Sequence, residues 1–163
     1  FSALDDGIQL LFPFLDFLWE GWMAGGRFRL FDDAFSALRL LREKGFSLGI
    51  ISNWDKTFDL VLQNLGVNDL FEMKVVSCLV EMAKPDPRIF QYALEKAGCE
   101  PENTWFLGDQ IQVDIDPALK CGMKAICVDY YGKCKNADSY RVAPSMTAAV
   151  YAILQEEGIS WTL

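Results

Sequence analysis

One unit recurs along this chain after residue 30: an amphipathic helix, a glycine, then a short run that is apolar at nearly every position. Residues 46–51 (FSLGII), 74–77 (KVVS), 104–107 (TWFL) and 123–128 are such runs. A strand with one wet face reads apolar at every second residue, whereas a strand covered on both faces is apolar throughout. Helices between such strands provide the covers, and right-handed crossovers make the strands parallel. The pattern restricts the fold to the α/β class, as a doubly wound parallel sheet with Rossmann-like layers.

The helices are marked by their stripes and ends. Phe35, Leu38 and Leu41 share a face after possible caps at Asp32 and Asp33, and Gly45 closes that helix. Phe58, Val61, Leu62 and Leu65 mark a second, ended by Gly66. Asp86-Pro87 is an N-cap followed by Pro at the first helical position, ahead of a stripe of Ile89, Phe90, Ala93, Leu94 and Ala97. A further helix runs from about Val113 to near Gly122. A last one is expected within residues 143–157, with Ala148, Ala149, Tyr151, Ala152 and Leu154 as its apolar face. Residues 1–30 stand apart from this regular part, which spans residues 31–163.

Composition removes whole classes of function. The 163 residues, 52% of them hydrophobic, suffice for one sizeable core. A net charge of −8 argues against nucleic acid, which rewards Lys and Arg on one face. With no histidine there is no Ser-His or Cys-His pair and no His-containing zinc site. A general acid or base must be a carboxylate, Lys, Tyr or Cys. The five cysteines, Cys78, Cys99, Cys121, Cys127 and Cys134, form no CxxC pair and are expected as reduced thiols of a soluble intracellular protein. Residues 8–23 are strongly apolar, but Pro13, Asp16 and Glu20 interrupt them and the stretch is shorter than the ~20 residues of a membrane span. No signal-peptide pattern is visible.

In an open parallel sheet the ligand site lies beyond the carboxyl ends of the strands. Ser52, Lys84, Asp109 and Asp129 fall on that rim, with Asn53 beside Ser52 and Asp114 five residues after Asp109. Carboxylates suit a hard cation, and Lys with a hydroxyl suits phosphoryl oxygens, so the set fits an Mg²⁺-phosphate site. Each member also has a plainer use. Ser52 or Asn53 could cap a helix starting near Asp55, Lys84 could be a solvated lysine on a loop held extended by Pro85, and Asp114 could be a surface carboxylate near a helix N-terminus. Asp129 ends a strand and is left outside the site.

From about Phe31 to Tyr130 the chain resembles the core of the haloacid dehalogenase-like (HAD) hydrolase superfamily. GIISNWD resembles its second motif, KPDPRIF its third, and FLGDQIQVDIDPALKCGM its fourth, with Pro117 where the family commonly has Gly. The resemblance implies that Ser52 hydrogen-bonds the transferred phosphoryl group with Asn53 beside it. It implies that Lys84 offsets the charge of nucleophile and phosphate, that Asp109 ligates Mg²⁺, and that Asp114 is a ligand or supports one. The substrate it implies is a small phosphorylated molecule.

The first motif, Asp-x-Asp-x-Thr on the central strand, is absent. Residues 1–30 resemble the remnant of a helical cap, so the nucleophile and the middle of the sheet are expected upstream of Phe1. Without that strand two inner strands would carry unpaired N–H and C=O groups, so upstream residues, a partner's strand or a rearranged N-terminal segment must fill the gap. Residues 10–16 are the internal candidate. Asp16 then stands where a capless relative has its nucleophile, although Leu18 and Glu20 replace the acid/base Asp and the Thr, and Pro13 suits a central strand badly. Two functions follow. In one the chain is a non-catalytic structural or partner-binding domain, with Phe12, Phe14, Phe17, Trp19 and Trp22 as a segment that packs on a protein partner. In the other it is the C-terminal part of an active Mg²⁺-dependent phosphomonoester hydrolase. Either way the isolated chain is expected to be inactive.

Overall fold

The computed structural model describes residues 9–13, 28–134 and 139–160. Its centre is a six-stranded sheet: β1 (Gln9–Pro13), β2 (Ser47–Ser52), β3 (Met73–Val76), β4 (Thr104–Gly108), β5 (Lys124–Val128) and β6 (Val142–Ala143). All neighbours pair in parallel, and the order is β3-β2-β1-β4-β5-β6. The sheet grows outward from β1 in both directions, which is the doubly wound topology.

Alternate residues of the inner strands enter two different cores. Leu48 and Ile50 of β2, Trp105 and Leu107 of β4, and Ile126 and Val128 of β5 pack on one face. They meet helix α1 (Ala34–Glu43), α2 (Phe58–Asn64) and the C-terminal helix α5 (Met146–Glu156). Ile51, Phe106, Ala125 and Cys127 point the other way, onto α3 (Pro87–Ala97) and α4 (Asp116–Lys120). This two-sided burial is why the strands read apolar at every position.

Asp86 caps α3 by accepting the Arg88 N–H at 2.9 Å, Pro87 opens the helix, and Gly98 ends it at φ +67°, a conformation that costs other residues a Cβ clash. Two stripes differ from expectation. In α1 the buried set is Ala34, Ala37, Leu38 and Leu41, and Phe35 is 42% exposed. In α5 it is Ala149, Val150, Ile153 and Leu154, while Ala152 faces solvent. This helix is apolar around most of its circumference, so packing rather than periodicity chooses its face.

The gap in the sheet is filled from within the chain. Gln9–Pro13, in the stretch read above as cap remnant and, over residues 10–16, as the internal candidate for the gap, lies between β2 and β4, with Gln9 opposite both Ser47 and Thr104. Pro13 is tolerated because it is the last residue of β1 and pairs only towards β2, opposite Ile51. Asp16, Phe14, Phe17, Trp19 and Trp22 lie outside the described residues. Among the described residues no helix is long and apolar enough to cross a membrane. The loop after β5 folds back over the end of its own strand and brings Cys134 beside Cys127, while Cys78, Cys99 and Cys121 are free.

Candidate active site at the carboxyl edge

The strand order reverses at β1, and the strands on either side of it, β2 and β4, end in the residues that sequence singled out. Ser52 is the last residue of β2 and fully buried. Its Oγ has no hydrogen-bond partner among the described residues. A buried hydroxyl without a partner carries a desolvation penalty that a bound anion would remove.

Neither Ser52 nor Asn53 caps the following helix, which begins only at Phe58. The Asn53 side chain instead clasps the main chain of Lys84. Its Nδ2 donates to the Lys84 carbonyl at 2.8 Å, and its Oδ1 accepts the Lys84 N–H at 2.8 Å. A second clasp follows at once, where Ser77 Oγ accepts the Trp54 N–H at 3.1 Å and donates to the Trp54 carbonyl at 3.2 Å. The chain leaving β2 is thus tied to the end of β3 and to the Lys84 loop.

Lys84 is neither solvated nor on an extended loop. The Asp86 N–H donates to the Ala83 carbonyl at 2.9 Å, so the chain turns tightly here, and this turn carries the lysine inward. Nζ then donates to Asp114 Oδ1 at 2.7 Å, with the two side chains only 3% and 1% exposed. Asp114 Oδ2 accepts the Gln110 N–H at 3.1 Å. Asp114 is therefore no surface carboxylate. It sits in a single π-helical turn (Ile111–Ile115) that swings it back beneath the strand end. Gly108 makes room for it, since a Cβ there would stand 2.4 Å from Asp114 Cβ. Gln110 and the clearance at Gly108 were not foreseen as parts of the site; the only sequence trace was the Gly108-Asp109 turn itself.

Asp109 is the first residue past β4 and is half-buried. A cavity of about 500 Å³ opens beside it, bordered by Gln110, Gln112, Asp116, Lys133 and Tyr140. Among the described residues no three potential metal ligands cluster. Both oxygens of Asp114 are engaged as above, one by Lys84 and one by the Gln110 N–H.

Asp129 belongs to the loop and not to the site. It accepts N–H groups from Tyr131, Lys133 and Cys134 at 3.2, 2.9 and 2.7 Å. Burial opposes its charge, yet these bonds outweigh burial and hold the carboxyl below its ordinary range. Two of the free thiols, Cys99 and Cys121, are disfavoured as nucleophiles. Burial, with Glu100 alongside, pushes Cys99 up to about 11, and burial also raises Cys121.

A family model described as haloacid dehalogenase-like hydrolase matches residues 14–122. The mouse protein named haloacid dehalogenase-like hydrolase domain-containing protein 3 is 31% identical over 120 residues, covering 74% of this chain and 48% of its own. The glyceraldehyde 3-phosphate phosphatase of Methanothermobacter thermautotrophicus is 38% identical over 107 residues, or 62% of this chain and 45% of its own. Among solved structures, a HAD phosphatase from Thermococcus onnurineus superposes with a TM-score of 0.71 at 27% identity, over 79% of this chain and 58% of that one. The chain spans about half the length of the curated relatives it matches.

Proposed function

Because this chain belongs to the haloacid dehalogenase-like hydrolases, we propose that its carboxyl edge is the phosphate- and Mg²⁺-binding part of a phosphomonoester-hydrolysing centre. The observation that carries this reading is Ser52. Its hydroxyl is fully buried and without a partner among the described residues, on the rim to which a buried lysine is also delivered. Ser52 Oγ donates to a phosphoryl oxygen. Lys84 has three N–H bonds and gives one to Asp114, which leaves others for the anion. Asp109 would hold Mg²⁺, whose charge when bound further offsets that of the phosphoryl oxygens. The name of the archaeal relative supports a small phosphorylated metabolite as substrate class.

Hydrolysis also needs a nucleophile. Asp16 is the first acidic residue after β1 and takes that role in this reading. The test combines binding with turnover. Inorganic phosphate should bind in the presence of Mg²⁺, and Ser52→Ala should weaken it about tenfold, the worth of one hydrogen bond to a charged group. Phosphate release from small phosphomonoesters that Asp16→Asn abolishes would establish the hydrolase. Binding without turnover would assign the non-catalytic, partner-binding domain instead. Absence of phosphate binding would refute the site.

A further inference from the structure

We infer that Asn53 is a positioning residue for Lys84 and not itself a phosphate ligand, an inference that rests on the phosphate-site reading above. The amide of Asn53 is spent in both senses: its oxygen takes the Lys84 N–H and its nitrogen gives to the Lys84 carbonyl, each at 2.8 Å. These two bonds fix the main-chain end of Lys84, while Asp114 fixes the far end at Nζ. A lysine side chain held at one end only explores many rotamers. Held at both ends, it presents the remaining ammonium hydrogens in one direction. Asn53 and Asp114 thus set the two ends of the same cation, although they come from opposite sides of β1: Asn53 follows β2 and Asp114 follows β4. Ser77 performs the same two-way clasp on Trp54, so the strand that carries Ser52 and the loop that carries Lys84 stay in fixed register. The two clasps differ in what they hold. The one made by Ser77 ends on the main chain of an aromatic residue, and the one made by Asn53 ends on the main chain of the residue whose side chain is the buried cation.

A double-mutant cycle on phosphate affinity tests this without any need for turnover. Inorganic phosphate is titrated calorimetrically, with Mg²⁺, into the wild-type chain, Asn53→Ala, Lys84→Met and the double variant. Asn53→Ala is expected to weaken binding about 10- to 100-fold, as two lost hydrogen bonds would. In the Lys84→Met background the same change should cost less than about twofold, because the group it positions is gone. Equal losses in both backgrounds would make Asn53 a direct phosphate ligand and overturn the inference, leaving the site intact. A fall in melting temperature with unchanged affinity would also overturn it, by making the clasp structural only. Should wild-type protein not bind phosphate, the site and the inference would fall together. If Lys84→Met does not fold, the ¹³Cε resonance of Lys84 in the phosphate-free protein decides. The inference requires it to move in Asn53→Ala, and an unchanged resonance would overturn it.

Discussion

Lys84 and Asp114 form an ion pair, 2.7 Å from Nζ to Oδ1, in which both side chains are almost wholly withdrawn from water. Thirty residues separate them in the chain, and each reaches the pair by an irregular turn rather than a regular element. A buried pair returns little net stability, because the cost of desolvating both charges offsets their attraction, but a lone buried charge is expensive. Lys84→Met and Asp114→Ala are therefore each expected to lower stability by about 3–5 kcal/mol, whereas Lys84→Met/Asp114→Leu should recover most of that loss. Urea denaturation of the three variants measures it. A double variant as unstable as the singles would show that the pair is net stabilising. Recovered stability without recovered phosphate binding would place the value of the pair in function.

Gly108 provides the clearance on which that pair depends. With 2.4 Å between a Cβ at 108 and Asp114 Cβ, alanine must push the carboxylate away from Lys84. Gly108→Ala is expected to cost about 1–3 kcal/mol from overpacking, and to reduce phosphate affinity as well. A melting curve and a phosphate titration separate the two effects. Unchanged values in both would mean that the π-helical turn relaxes freely around the new methyl group.

The frame of this site was legible in sequence, and its wiring was not. Two-sided burial leaves a mark on every residue of a strand, so β2 to β5 could be read within a residue or two at each end. β6 has only Val142 and Ala143, too short for a pattern, and the π-helical turn at Ile111–Ile115 reflects where Asp114 must point rather than any local preference. Ser52, Lys84 and Asp109 were legible because each lies at or beyond the end of a strand, and Asp114 because it stands five residues after Asp109 in the stretch that resembles the fourth HAD motif. That Asp114 grips Lys84, and that Asn53 grips the Lys84 main chain, depends on contacts between loops tens of residues apart. No spacing rule encodes such contacts. The placement of β1 was obscured by Pro13, whose effect depends on whether the strand continues past it.

A second long-range link lies away from the site. Tyr130 Oη donates to Asp33 Oδ1 at 2.7 Å and accepts the Met146 N–H at 3.0 Å, while Asp33 Oδ2 accepts the Thr147 N–H at 2.8 Å. Asp33 makes no side-chain cap on its own helix, so its carboxylate serves the N-terminus of α5 instead, where the helix dipole favours it. Burial, then the Asp33 bond, raises the Tyr130 phenol well above its ordinary range. Tyr130→Phe and Asp33→Asn are each expected to cost about 1–2 kcal/mol, with a coupling of about 1 kcal/mol or more in the double variant. Amide exchange at Met146 and Thr147 should quicken in both. Additive losses would show that the three groups are merely adjacent.

Glu157 gives the fold a defined acid sensitivity. Its Oε1 accepts Trp105 Nε1 at 2.8 Å and Lys124 Nζ at 2.7 Å, tying the end of α5 to β4 and β5. Burial alone would raise its pKa, but the bonds from Lys124 and Trp105 outweigh burial and lower it from 4.5. A carboxyl that binds its proton less readily when folded stabilises the fold while ionised. That contribution is complete above the unfolded-state value near 4.5 and is lost as pH falls through the lower folded-state value. Glu157→Gln removes the charge and is expected to cost about 1–2 kcal/mol at neutral pH. The gap between variant and wild type should hold from neutral pH down to about pH 5 and close progressively below it. Denaturation followed by Trp105 fluorescence across this range checks the sign. A gap that widened on acidification would mean that the protonated form is the one the fold prefers.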